Sequence, residues 1–236
     1  MTEEIFREDA YARSCQAAVM AVDARGIQLD RTVFYATGGG QPGDAGVLRL
    51  EDGRTIAIVE ARRDRETGEH LHIPAEGEAR PEVGGTVTAE IDWPRRHRLM
   101  RMPTAMHLLC ALIPQGVTGG AVGEDKSRLD FDLPDTGLDK DRLSEELNRL
   151  IGEDHAVETR WISDAELASK PDLVRTMSVK PPTGGGRVRL VEIQGVDLQP
   201  CGGTHVARTG EIGRVSIGKI ENKGKHNRRI TLLLED

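Results

Sequence analysis

Residues 84–114, "GGTVTAEIDWPRRHRLMRMPTAMHLLCALIP", change their hydrophobic period midway. Up to Trp93 apolar and polar residues alternate, as on a strand buried on one face, whereas "TAMHLLCALI" (104–113) is apolar at helical spacing and stops at Pro114. Pro94 biases Trp93 toward extended backbone, so the strand pattern ends there. A domain boundary at this point divides the chain into 1–93 and 94–236.

Working outward, the N-terminal side reads as short strands and turns. "CQAAVMAV" (15–22) and "GIQLDRTVFY" (26–35) flank "DARG", and "AGVLRL" (45–50) and "RTIAIVEARRD" (54–64) flank "EDG", which predicts two hairpins. "EHLHIPA" (69–75) and "GGTVTAEIDW" (84–93) add further strands, and many short strands without a convincing helix predict a small β-barrel. On the C-terminal side, "GLDKDRLSEELNRLIGED" (137–154) places Leu138, Leu143, Leu147, Leu150 and Ile151 on one face of a polar helix. "SRLDFDL", "HAVETRWI", "GRVRLVEI" and the pair "GRVSIGKIENKG" and "RRITLLLE" read as strands. The expected class is α+β: a small barrel, then a two-layer domain with helices on one side of a mainly antiparallel sheet. No repeat is evident, and only "PPTGGGR" (181–187) resembles a flexible loop.

A chain of 236 residues can bury a core without covalent staples, and its three scattered cysteines fit reduced thiols. The opening "MTEEIFREDA" is acidic where a signal peptide would be basic and then apolar, and no apolar run reaches the ~18 residues of a membrane span. A cytoplasmic protein with no membrane partner is expected. The net charge is −7, yet Val206 to Thr231 holds seven basic residues (Arg208, Arg214, Lys219, Lys223, Lys225, Arg228, Arg229) against two acidic ones (Glu211, Glu221). "RRHR" (95–98) with Arg101 forms a second basic cluster. Such patches suit a local anionic partner such as an RNA backbone, although a solvated charged face has the same composition.

The chemistry centres on two segments. In "QPCGGTHVART" (199–209), Cys201 and His205 bracket a Gly-Gly pair that lets the backbone fold tightly enough to aim both side chains at one centre. Thiolate with imidazole is ligation that Zn²⁺ favours, while a buried Cys near a strand-end His is the plainer reading. In "RMPTAMHLL" (101–109), His107 stands one helical turn after Pro103. A histidine at 103 would complete an HxxxH pair; proline cannot ligate, but it is harmless in the first turn of a helix, where this helix is expected to begin. Alone, His107 would read as a core or capping residue. Cys110, on roughly the same face as His107, reads as core, with substitution for the missing ligand as the alternative. His70 and His72 alternate on one face of a predicted strand and read as a polar outer face, with a metal pair as the alternative. "TGGGQ" (37–41) lacks both the GK[ST] ending of a P-loop and the GxGxxG spacing of a dinucleotide fold, which argues against a nucleotide cofactor.

In order and at similar separations, "RTVFYATGGGQPGDAGVL" (31–48), "RMPTAMHLL", "RLDF" (128–131) and "CGGTHV" (201–206) resemble the motifs of the AlaX proteins, free-standing relatives of the editing domain of alanyl-tRNA synthetase. The resemblance covers nearly the whole chain, including the N-terminal barrel of the two-domain members. It implies hydrolysis of the ester of tRNA(Ala) mischarged with serine or glycine, and a zinc quartet that falls on Pro103, His107, Cys201 and His205, leaving three ligands. It also places Gly38, Gly39, Gly40 and Gln41 near the editing pocket. Gln41 is the candidate sensor of the seryl hydroxyl, because a polar group left unpaired by alanine rejects the smaller substrate. Thr104 and Thr204, beside the metal positions, are candidate substrate contacts, with helix or strand capping as the alternative. On this reading His107, Cys201 and Gln41 carry the catalysis, and neither ATP use nor aminoacylation is expected.

Three functions follow from this resemblance. The preferred one is a trans-editing, zinc-dependent deacylase of Ser-tRNA(Ala), with the fourth coordination position open to water or substrate and the basic segments at 95–101 and 219–229 holding the acceptor stem. The second is an inactive, metal-depleted tRNA-binding relative in which Pro103 records the loss. The third is a zinc hydrolase of small aminoacyl esters or amides, which salt dependence separates from a tRNA binder. Serine or glycine preference and oligomeric state are not readable from the chain.

Overall fold

The computed structural model describes residues 2–134, 137–177 and 186–235. The chain forms two compact units, Met1–His97 and Arg98–Asp236. In the first, β1 (Glu3–Glu4) pairs in parallel with β4 (Arg31–Thr32). The other strands are β2 (Ser14–Asp23), β3 (Gly26–Leu29), β5 (Gly46–Leu50), β6 (Thr55–Arg63), β7 (His70–Pro74) and β8 (Thr86–Ile91). They close into a six-stranded barrel in the order β2-β3-β7-β6-β5-β8, as the alternating pattern predicts. Ala17 and Val19, Ile56 and Ile58, and Val87, Ala89 and Ile91 are the inward members of their strands, and they pack with Ile27, Phe34 and Leu48. Each fully buried Ile or Leu contributes ~1.5–3 kcal/mol over exposure, enough to fix the strand register.

The "TGGGQ" stretch is a tight turn between β4 and β5. Gly38 and Gln41 exchange backbone hydrogen bonds of 3.0 and 2.9 Å, and the two central residues, Gly39 and Gly40, have φ of 57° and 85°. Positive φ at both positions is the type I′ pattern, which only glycine adopts without cost.

Three expectations are corrected here. His70 and His72 do not lie on an outer face: both are buried. His72 Nε2 lies 2.8 Å from Thr32 Oγ1 and Nδ1 lies 3.1 Å from the Ile27 carbonyl, and burial lowers this imidazole to about 3, so it stays neutral. His70 Nδ1 reaches Glu4 Oε1 at 3.1 Å. Second, the helix does not begin at Pro103. α1 spans Trp93–Leu112, so Pro103 lies in its interior, and the boundary between the compact units falls within it. Third, Arg96 is not a surface cation. It is fully buried, with Nε 3.0 Å from both Asp44 carboxylate oxygens, NH1 3.0 Å from the Ala10 carbonyl and NH2 2.7 Å from that of Val33. These bonds seat the start of α1 on its own unit, and they explain why a run of charges is helical here.

The second unit holds the sheet β14-β15-β10-β9, made of β14 (Arg214–Asn222), β15 (Asn227–Glu235), β10 (Lys126–Asp132) and β9 (Val117–Ala121), and the sheet β11-β12-β13, made of β11 (Val157–Ser163), β12 (Arg187–Ile193) and β13 (Asp197–Pro200). All pairings in both sheets are antiparallel. α2 (Lys140–Gly152), capped by the Asp139 side chain, runs beside β14, and α3 (Asp164–Ser169) follows β11. Ser144 Oγ accepts from the Ile217 amide at 3.0 Å, and the Asn148 amide bonds both backbone groups of Val215, so α2 satisfies an otherwise open strand edge. Of the loop read as flexible, 181–185 lies outside the described residues. No helix among the described residues is long and apolar enough to cross a membrane.

Candidate metal centre

His107 comes from α1; Cys201 and His205 come from the turn after β13. One ligand atom from each lies within 4.8 Å of the others, and the cluster is largely enclosed. Strand alternation prepares it: along β13 and one step beyond, Asp197, Gln199 and Cys201 point to the same side. The turn is held by Arg189 of β12, whose NH1 donates to the carbonyls of Cys201 at 3.1 Å and Gly203 at 2.9 Å, while the Cys201 amide bonds the Arg189 carbonyl at 3.1 Å.

Hydrogen bonding assigns the tautomer of both histidines. The buried Thr104 hydroxyl donates to the Met100 carbonyl at 2.9 Å, so its oxygen accepts from His205 Nδ1–H at 3.1 Å and from the Val206 amide at 3.3 Å. His205 Nε2 is then the bare nitrogen, and it faces Cys201 Sγ at 3.2 Å. His107 Nδ1 donates to Asp197 Oδ2 at 2.9 Å, leaving its own Nε2 as the ligating atom. The two rings meet edge to face with centroids 4.7 Å apart. A carboxylate or hydroxyl behind each imidazole is the usual way a protein fixes a metal-binding histidine.

Asp197 is itself held: Gln199 Nε2 donates to Oδ2 at 2.8 Å, and the Arg175 guanidinium lies 3.4 Å from Oδ1. Burial raises the Asp197 carboxyl, but His107 and Arg175 outweigh it and the group lies below the usual range. For His107, burial pushes downward while Asp197 and the Cys201 sulfur carry it up to about 9. Burial likewise pushes the Cys201 thiol up, and the two imidazoles reverse this, holding it well below an ordinary thiol. His205 is lowered, chiefly by burial, with the cationic Arg189 acting in the same direction. A thiolate and two imidazole Nε2 atoms, each ring fixed from behind, are a borderline-soft donor set that fits zinc, which on binding would displace the proton that His107 carries at neutral pH.

The structure thus brings together His107, Cys201 and His205 as anticipated, with Pro103 buried one turn before His107. Cys110 is outside the group, a core thiol that burial pushes up to about 12. Thr104 is engaged with His205, and Thr204 is fully buried. Gln41 is also buried, at the base of its turn in the first unit. Asp197, Gln199, Arg175 and Arg189 carry no local motif; the one available signal was the period-two spacing of Asp197, Gln199 and Cys201.

A family model described as "Threonyl and Alanyl tRNA synthetase second additional domain" matches residues 188–231, and one described as "tRNA synthetases class II (A)" matches residues 5–95. Barrel, α+β unit and His-Cys-His cluster together therefore define a module of the kind shared with these synthetases. The chain is 39% identical to "Alanyl-tRNA editing protein AlaX-M" of Methanosarcina acetivorans, covering the whole of both proteins. It is 35% identical to the AlaX-M protein of Saccharolobus solfataricus over 98% of each. To an alanine-tRNA ligase of Pyrobaculum neutrophilum it is 37% identical over 93% of this chain and 25% of the ligase. The chain belongs to the AlaX family of alanyl-tRNA editing proteins.

Proposed function

We propose that this chain is a free-standing editing hydrolase that removes serine from tRNA(Ala) by cleaving the aminoacyl ester, using zinc held by His107, Cys201 and His205. The observation that carries the reading is the anchoring of both imidazoles through Nδ1, His107 by Asp197 and His205 by Thr104, beside the sulfur of a cysteine in one enclosed cluster. Family membership supports the substrate class. When bound, zinc supplies Lewis-acid polarisation of the ester carbonyl at the position that three protein ligands leave open. Asp197 and Thr104 hold the Nδ1 side of the two imidazoles and so aim each Nε2, and Arg189 holds the turn that carries Cys201. Gln41 is the proposed selector of the seryl substrate.

Pro103 favours one competing reading, an RNA-binding relative without hydrolysis. Elemental analysis of the purified chain, beside deacylation of Ser-tRNA(Ala) with and without chelator, separates the two. About one zinc per chain with chelator-sensitive turnover is expected. Absence of both metal and turnover, with tRNA still bound, would establish the competing reading.

A further inference from the structure

Most of the basic residues between Val206 and Thr231 are paired with carboxylates, largely at the surface. Arg208 pairs with Asp154 at 2.6 Å, Arg214 with Glu235 at 2.9 Å, Arg229 with Asp130 at 2.8 Å and Lys223 with Glu221 at 3.2 Å. Arg228 is buried, with NH2 donating to the Pro134 carbonyl at 2.8 Å and NH1 to the Gly224 carbonyl at 2.9 Å. The charge of that segment is therefore largely shared with carboxylates, with Lys219 an exception.

Lysine charge gathers where Lys219 of this segment meets two lysines from outside it. Three of the chain's seven lysines, Lys126, Lys140 and Lys219, line one groove of about 440 Å³; none of the three forms a described ion pair with a carboxylate, and Lys219 acts on Glu221 through its charge at longer range. They come from three elements. Lys126 opens β10 opposite Leu233, Lys219 sits where the β14 ladder is shifted between Ile217 and Ile220, and Lys140 is the first residue of α2. The shift in the ladder turns Lys219 away from the regular strand pattern. The floor is Gly218, Thr231 and Leu233; a Cβ on Gly218 would lie 3.2 Å from Thr231 Cγ2 and 3.3 Å from Leu233 Cδ1, so the bare glycine keeps it low. Glu221, the one carboxylate in the lining, is already bonded to Lys223 at 3.2 Å.

We infer that this groove holds the phosphodiester backbone of an RNA, a contact that rests on the proposal above that the substrate is a tRNA. Ammonium groups around a small aliphatic floor neutralise phosphates at close approach. The lining has no aromatic ring to stack a base and no guanidinium fork to read one, so the groove positions the RNA without selecting its sequence.

The test is binding of fluorescent tRNA to the full chain by anisotropy, over roughly 50 to 300 mM salt. The proteins compared are the wild type, the triple variant K126Q/K140Q/K219Q, and K170Q, which alters an exposed lysine bonded to Glu166 away from the groove. The expected result is a slope of log K against log salt that is shallower by about 2 to 3 in the triple variant, one increment per lost phosphate contact. Zinc stoichiometry should be unchanged, and K170Q should keep the wild-type slope. A triple variant with the wild-type slope overturns the groove while leaving the editing function standing. A wild type that does not bind tRNA overturns both.

Discussion

Pro103 combines a backbone effect with a ligand effect, and two substitutions separate them. In the interior of α1 it offers no N–H to the Leu99 carbonyl, a position where proline costs ~3 kcal/mol relative to alanine. Pro103→Ala removes that cost but also removes about two buried methylenes, ~1.6 kcal/mol, and frees the unfolded chain by ~0.4–1 kcal/mol. The expected balance is a stabilisation of about 0.5–1 kcal/mol, or roughly 1–4 °C in Tm for a unit of this size. Pro103→His keeps the backbone gain and places an imidazole one turn before His107, on the same helical face. A fourth ligand there should tighten zinc at least about tenfold, ~1.4 kcal/mol. The assays are thermal melts of the metal-free proteins and zinc competition against a chromophoric chelator. If Pro103→His holds zinc no more tightly than Pro103→Ala, position 103 does not face the donor set and the mapping of the missing ligand is wrong. If Pro103→Ala melts below the wild type, the proline is serving the packing of α1 more than it burdens its backbone.

Asp197→Asn removes the charge behind His107 while keeping its volume, and should weaken zinc about 10- to 100-fold in the same competition assay; wild-type affinity would deny Asp197 its orienting role. Gln41→Ala should lower kcat/KM for Ser-tRNA(Ala) more than for Ala-tRNA(Ala), and an unchanged ratio would remove Gln41 from selection. Burial raises the Glu4 carboxyl, but its bonds to His70 and Arg7 and the charge of Arg63 bring it from 4.5 to about 2. A folded value below the unfolded one means stability that is fully present above about pH 4.5 and lost as the pH falls toward 2. Glu4→Gln should therefore lower the unfolding free energy near pH 6 by about 1 kcal/mol after allowance for solvent screening, with a correspondingly lower Tm, and should match the wild type near pH 2; a constant difference across that range would refute the assignment.

The barrel was legible because its strands alternate and its turns carry Asp-Gly pairs, so local chemistry and burial agree. α1 was half legible. Its N-terminal half is dominated by charge, and nothing in "WPRRHR" announces that the Arg96 guanidinium is buried with Asp44 at the heart of its unit. With that half read as solvated, Pro103 looked like a helix start. His70 and His72 misled for the same reason: alternation fixes which residues share a face, but not whether the polar members find partners inside, as His72 does with Thr32 and Ile27. The metal donors were legible through CxxxH spacing and the helical turn before His107. Their supports were not, since Asp197 reaches His107 only through the pairing of β12 with β13, and Thr104 reaches His205 only because α1 passes the turn.

Those supports bear on what Pro103 means. Burying the Asp197 carboxylate costs several kcal/mol of hydration, and its contacts with His107, Gln199 and Arg175 offset that cost without exceeding what well-packed apolar residues would give. For stability alone, an aliphatic pair in place of Asp197 and His107 would serve as well. The arrangement yields something an aliphatic pair cannot, an imidazole anchored through Nδ1 beside the cysteine sulfur, and Thr104 does the same for His205. A site that no longer engaged a metal would gain nothing from holding two imidazoles in this way beside a sulfur. A proline at 103 beside intact supports is what the proposed three-ligand centre requires, and chelator-sensitive turnover is the outcome that proposal predicts.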